Sequence, residues 1–285
     1  MIKNIKLPSI HFHPMTYLFM ILAFVTGLFV QYLIILSIVL IHELGHFLMA
    51  RLLGWRIEKL MLWFFGGVMV TDEHLSRPIY EEFLVVIAGP LQHVFIHIGL
   101  FYFGDLLLGE QLLTEAYQYN IWILLFNLIP IWPLDGGKCV QLGLTSLFPF
   151  KTAYQAMLIV SLCFIIGILI VGSLYMILTM SGIVLGIFLL QENIVEWKRR
   201  HYIFMRFLLN RSQSKQKSRK QIVEVEPSTS LYHVFTLFKR SSHYQLKIRQ
   251  WDEAVIEENE ALAFFFKGHT AQPTIRDMIY FKEMN

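Results

Sequence analysis

From Ala153 to Leu190 the chain runs without a single Asp, Glu, Lys or Arg. As one helix this stretch would measure roughly 57 Å at about 1.5 Å per residue, near twice the ~30 Å hydrocarbon core of a bilayer. It must therefore fold back, and Thr179-Met180-Ser181-Gly182 offers the turn. Three further apolar runs precede it: about Met15 to Leu53 with a turn near Gly27 to Gln31, then Phe83 to Phe103, then about Tyr117 to Leu134. At about 20 residues per crossing, these runs predict six transmembrane helices. Composition agrees, with 55% hydrophobic and 16% charged residues and a mean hydropathy of +0.53, whereas soluble domains carry about a quarter charged. A net charge of only +3 argues against nucleic acid as a partner, and two cysteines, Cys139 and Cys163, are too few for a disulfide scaffold.

Charge then divides the chain. Residues 1–197 hold eight Lys or Arg against 12 Asp or Glu, a net of −4, and residues 198–285 carry +7. The expected organisation is a six-span domain over 1–197, a basic juxtamembrane linker over 198–221, and a small α+β domain over 222–285. With six spans, Lys3, Lys6, Arg51, Arg56, Lys59, Arg77, Lys138, Lys151 and the basic tail all fall on one side. The segment Gly104 to Ala116, on the other side, has neither Lys nor Arg. That asymmetry places both termini in the cytoplasm. The N-terminus has a basic start but no small-residue cleavage site, so it reads as a retained first span rather than a signal peptide.

Inside the second expected span lies Ile41-His42-Glu43-Leu44-Gly45-His46. Residues i and i+4 share a helix face, so His42 and His46 can grip one metal ion. Glu43, turned by about 100°, can reach a water at that ion and act as general base. Imidazole ligands favour zinc without excluding other divalent metals. Two His and a Glu within an apolar span are costly to bury and persist mainly when they pair or bind something.

A catalytic site needs a third protein ligand, and several acids are candidates. Glu58, Asp72, Glu73, Glu81 and Glu82 lie in the polar loop after the span, where solvation is their ordinary fate. Asp135 ends an apolar run, in Asn127-Leu-Ile-Pro130-Ile-Trp-Pro133-Leu-Asp135-Gly136-Gly137-Lys138. There the prolines break the helix and the paired glycines permit close backbone approach. Broken helix at membrane depth is tolerated where it is buried in protein or lines a wet cavity. His93 and His97 repeat the i, i+4 spacing without the Glu; they could face the site, bond to neighbouring helices or hold a second metal.

Together, HELGH, FGG (Phe65-Gly66-Gly67), AGP (Ala88-Gly89-Pro90) and NxxPxxPLDGG resemble, in order and spacing, the site-2 protease family of intramembrane zinc metalloproteases. The resemblance implies His42, His46 and Asp135 as zinc ligands and Glu43 as catalytic base. It implies that Asn127 holds the substrate or the developing oxyanion, and that Gly66-Gly67 belongs to a membrane-embedded hairpin that pairs with substrate. Edge pairing would supply backbone hydrogen bonds to an unwound helix. The alternative function is a membrane metal-ion transporter built on intramembrane His and carboxylates. That would spread ionisable groups through the span depth and show a repeat between the halves, and neither pattern is visible.

In the tail, residues 198–220 carry nine Lys or Arg and no acid, suited to anionic lipid headgroups. Beyond it, Ile222 to Val225 suggests a strand, and Leu231, Val234, Phe235 and Phe238 an amphipathic helix. Tyr244 to Ile248 suggests a second strand, Glu258 to Phe266 a second helix, and Pro273 to Ile279 a turn into another. This order resembles a single CBS domain, which implies pairing with a second copy, or docking on the membrane domain, and ATP as a possible ligand. The whole plan resembles the sporulation branch of the family. That branch implies regulated intramembrane proteolysis of a membrane-associated sigma-factor precursor, inhibitory membrane protein partners, and a possible homo-oligomer.

Overall fold

The computed structural model describes residues 9–12, 14–63, 66–71, 76–176, 179–213, 219–249, 255–268 and 273–283. They form two compact units, Met1–Pro130 with Leu134–Cys139, and Ile131–Pro133 with Val140–Asn285.

The first unit opens with strand β1 (Ser9–Phe12), helices α1 (Pro14–Val25) and α2 (Phe29–Leu52), strands β2 (Ile57–Trp63) and β3 (Gly66–Thr71), and helices α3 (Ile79–Leu107) and α4 (Glu110–Leu128). The break between α1 and α2 falls at Thr26-Gly27-Leu28, where Gly27 takes a positive φ of 76° that its missing Cβ permits. Strands β2 and β3 form the expected antiparallel hairpin, with Trp63 opposite Gly66 and Leu62 opposite Gly67. Phe65 of the FGG motif lies outside the described residues. A third strand was not expected: β1 runs parallel to β2, pairing Ser9 with Lys59 and Phe12 with Leu62. Phe47, Ala50, Trp55, Ile57 and Val85 pack where α2, the start of β2 and α3 meet.

Helix α2 is built inside out relative to a helix in water. It buries His42, Glu43, Gly45 and His46 and exposes Leu33, Ile41, Leu44, Leu48 and Leu52. An apolar face of this extent suits lipid rather than water. Among the described residues, three helices are long and apolar enough to cross a bilayer: α2, α3 and α6 (Phe150–Leu174).

The second unit takes α5 (Asp135–Leu147) from Val140 onward, then α6, α7 (Met180–Gln213), β4 (Arg219–Val225), α8 (Leu231–Phe235), β5 (Ser242–Ile248), β6 (Val255–Glu257), α9 (Glu258–Lys267) and α10 (Ile275–Glu283). The long apolar run does break, between Leu174 and Met180. Helix α7 then continues without interruption through Trp197 to Gln213, where a linker was expected from 198. Phe204, Phe207 and Leu208 are buried on that extension, and burying them is what keeps a basic segment helical.

The small domain sheet has the order β4-β5-β6, with β4 parallel to β5 and β6 antiparallel to it. Alternate residues of β5 are buried (Ser242, Tyr244, Leu246, Ile248), the period-2 signature of a strand with one face on a core. Leu231, Val234, Phe235 and Phe238 are all buried as their spacing required, although α8 itself stops at Phe235. Within this unit the small domain bonds to α6 and α7. The Phe150 amide donates to the Phe238 carbonyl at 2.9 Å and Lys151 Nζ to the Tyr232 hydroxyl at 3.2 Å. Arg211, near the end of α7, grips the Glu258 carboxylate through Nε and Nη2 and donates through Nη1 to the Lys239 carbonyl at 2.8 Å. Its guanidinium also lies over the rings of Phe207, Phe238 and Tyr244.

Candidate metal centre

Pro130 and Pro133 prevent α4 from continuing, and a new helix starts at Asp135, its first turn closed by the Lys138 amide donating to the Leu134 carbonyl at 3.1 Å. A carboxylate in that first turn is favoured by the helix dipole. Gly136 allows the turn to lie against the end of α4. A Cβ there would come within 2.2 Å of the Leu128 carbonyl oxygen and 2.4 Å of that of Ile129.

This start brings Asp135 to the histidines of α2. Asp135 Oδ2 lies 3.1 Å from His42 Nε2 and 3.0 Å from His46 Nε2, and the two Nε2 atoms are 3.1 Å apart. All three residues are buried. Asp135 Oδ1 is held by Lys138 Nζ at 2.9 Å, while Oδ2 is buried without a hydrogen-bond donor. His46 Nδ1 donates to the Val85 carbonyl at 2.7 Å, so its Nε2 presents a lone pair. Two imidazole nitrogens and a carboxylate oxygen thus converge at about 3 Å. A tetrahedral zinc ion with bonds of about 2.0–2.1 Å has ligand–ligand edges of roughly 3.3 Å, close to this triangle. The donor set fits zinc.

Glu43 is buried one position along the helix from His42 and lies within electrostatic reach of His46 and Lys138. Asn127, second from the end of α4, donates its side-chain amide to the Ile123 carbonyl one turn back at 2.9 Å. Glu81 and Glu82, expected in the polar loop, stand instead in the first turn of α3, because the helix begins at Ile79 right after Pro78; Glu81 accepts from Trp55 Nε1 at 3.0 Å and pairs with Arg77. Glu82 is buried. Asp72, Glu73 and the side chain of Glu58 lie outside the described residues. Among the described residues, His42, His46 and Asp135 are the group able to share one ion.

Three features escaped the sequence reading. Gly45 and Gly89 let α2 and α3 touch at the site: a Cβ on Gly45 would stand 2.5 Å from the Ala88 carbonyl oxygen, and one on Gly89 2.2 Å from His46 Nε2. Lys138, counted only among the one-sided cations, is paired with Asp135. His93 bonds inward to His42, whereas His97 lies edge-on to the Tyr117 ring. The periodicity showed the histidine pair but not the separate destinations of its members.

Comparison with known proteins agrees with this geometry. The profile of Peptidase family M50 matches residues 30–116. Stage IV sporulation protein FB of Bacillus subtilis is 36% identical over 279 residues, covering 95% of this chain and 96% of that protein. The chain belongs to peptidase family M50, the site-2 proteases. A zinc metalloprotease of Methanocaldococcus jannaschii is 34% identical over 125 residues, 42% of this chain and 36% of that one. The solved structure of the site-2 protease from the same organism superposes with a TM-score of 0.54 at 25% identity, covering 68% of this chain and 93% of that chain. The M50 fold accounts for the mostly helical, apolar body, and the chain is a zinc metalloprotease of the integral-membrane, site-2 type. The transporter alternative is not favoured.

Proposed function

We propose that this M50 protease holds zinc through His42, His46 and Asp135 and hydrolyses a peptide bond of a membrane-associated protein, a sigma-factor precursor during sporulation. The observation that carries the site assignment is the meeting of two histidines and one carboxylate, each buried, beside a buried glutamate. When bound, zinc supplies Lewis-acid activation of water and of the scissile carbonyl. Glu43 takes a proton from the attacking water and delivers it to the amine nitrogen as the C–N bond breaks. Asn127 steadies the carbonyl oxygen with the amide proton not engaged by Ile123. Lys138 holds Asp135 in place through Oδ1. Among the described residues β3 is an outer strand of the order β1-β2-β3, and its outer side accepts the substrate as an added strand.

The sporulation substrate is supported by the full-length similarity to a stage IV sporulation protein. Six spans with both termini cytoplasmic remain our topology, supported by the one-sided distribution of Lys and Arg. The domain limits 1–197, 198–221 and 222–285 belong to the same proposal. Inhibitory membrane partners and a homo-oligomer complete the sporulation reading. A CBS-like identity for 222–285 is supported by the order strand, helix, strand, strand, helix, and ATP binding there has only that likeness behind it. The test is co-expression with a membrane-associated sigma-factor precursor. The native chain should cut it, and Glu43→Gln should retain zinc yet lose cleavage by about 10²–10⁴-fold. Cleavage undiminished in Glu43→Gln would end the assignment of the base.

A further inference from the structure

His42 offers Nε2 to the metal site, and its other nitrogen, Nδ1, lies 3.1 Å from Nε2 of His93. On the far side of that ring, His93 Nδ1 lies 2.7 Å from Asn120 Oδ1. The same Asn120 places Nδ2 3.0 Å from the His93 carbonyl oxygen. His93 and Asn120 are 1% and 2% exposed, so bulk water does not compete for these bonds.

Two of these links have only one polarity, and for a neutral His93 they fix the third. A backbone carbonyl can only accept, so the Asn120 amide must donate to it through Nδ2, which turns Oδ1 toward the ring. An amide oxygen can only accept, so His93 must carry its proton on Nδ1. The neutral ring then has a lone pair on Nε2 and must accept from His42 Nδ1. With its proton there, His42 keeps a lone pair on Nε2, directed at Asp135 Oδ2 and His46 Nε2. A single carbonyl oxygen on α3 thus sets the tautomer of a residue on α2, by way of α4.

We propose that His93 and Asn120 are positioning residues that lock His42 in the metal-binding tautomer and ring orientation. This rests on the zinc reading of the site given above. His46 obtains the same service directly from the Val85 carbonyl. The two ligands therefore have different supports, one a backbone group that no substitution removes and the other a side-chain relay that substitution can cut. Outer-shell partners of this kind typically contribute 10–100-fold in metal affinity.

The test measures zinc affinity by chelator competition on the purified full-length chain, with unfolding temperature recorded alongside. His93→Leu and Asn120→Leu, which retain bulk without the relay, should bind zinc 10–100-fold more weakly. His93→Gln can still accept from His42 Nδ1 and should stay within a few-fold of native, a rescue that a packing role would not produce. Native affinity in either Leu variant overturns the relay. Nitrogen-15 spectra of histidine-labelled native protein, assigned by subtraction of His93→Gln, need no destabilised variant. They should show His93 neutral with its proton on Nδ1, and a proton on Nε2 overturns the proposal even if both Leu variants fail to fold. If the native chain itself binds no stoichiometric zinc, it is the metal-site reading that fails.

Discussion

Gly89→Ala tests how the zinc site is made room for. A Cβ at Gly89 would lie 2.2 Å from His46 Nε2, 2.4 Å from His46 Cε1 and 2.9 Å from His42 Cε1. Against an ordinary contact of 3.4 Å or more, the shortfall at His46 exceeds 1 Å. The ring is the end of a side chain but cannot swing freely, because Nδ1 is tied to the Val85 carbonyl at 2.7 Å while Nε2 faces Asp135. Moving away from the methyl gives up one or the other. Metal–ligand distances tolerate only about ±0.2 Å, and a misplacement of about 1 Å can cost about 100-fold in rate. We expect zinc affinity lowered by at least about 10–100-fold and cleavage of a membrane-anchored reporter lowered by about 100-fold or more. Helix propensity acts in the opposite direction, since alanine is favoured over glycine by about 0.8–1.0 kcal/mol, so lost activity would not come from a weakened α3. Gly99→Ala, on the same helix with nothing within 4 Å of the added Cβ, is the control and should leave zinc and cleavage unchanged. Chelator competition and reporter cleavage on both purified chains decide it; a Gly89→Ala protein with native affinity and activity would show that the histidines do not sit where the reasoning requires.

Asp135→Ala should lose stoichiometric zinc, measured by metal analysis after dialysis, and retention of the ion would return the search for a third ligand to the loop acids. Arg211→Ala leaves the fully buried Glu258 carboxylate without its guanidinium and should cost about 3–5 kcal/mol. Thermal unfolding and earlier proteolytic release of the small domain would report it. At the start of α10, the backbone amide and hydroxyl of Thr274 donate to Asp277 Oδ2 at 2.9 and 2.8 Å, and these bonds hold the Asp277 carboxyl below the usual carboxylate range. A carboxyl lowered in the folded state contributes stability that is complete above its unfolded value and is lost as pH falls through the folded one. Thr274→Ala should therefore cost about 1 kcal/mol near neutral pH and flatten the decline in unfolding temperature on acidification; an unchanged acid profile would refute the cap.

What the sequence made legible was what local patterns encode. HELGH puts two histidines on one helix face through helical spacing alone, and the Pro–Gly segment announces a helix break that presents Asp135. Leu231, Val234, Phe235 and Phe238 were correctly assigned to a core because amphipathic spacing survives even where the helix is short. Pairings between distant segments were not legible. Strand β1 pairs with β2 across nearly fifty residues, and nothing in Ser9–Phe12 names its partner. Gly89 looked like part of a motif, but its purpose depends on the distance between two helices. Lys138 entered only the charge count, which cannot see that its ammonium turns back to meet the Asp135 carboxylate. The basic stretch after Trp197 read as a linker by composition, which could not show that α7 runs through it as far as Gln213.

That last segment carries a mechanical consequence. At about 1.5 Å per residue, α7 is roughly 51 Å long, some 20 Å more than a hydrocarbon core of about 30 Å. A loop of the same composition would absorb an inserted residue by slackening. A helix converts it into about 1.5 Å of length and about 100° of phase, which would carry the Arg211 guanidinium around the rod and away from Glu258. The stretch between Trp197 and Arg211 should thus be intolerant of changes in length, while only its exposed positions, away from Phe204, Phe207 and Leu208, accept changes in residue. A drive shaft has the same property: its surface is free to vary, but its number of turns is not.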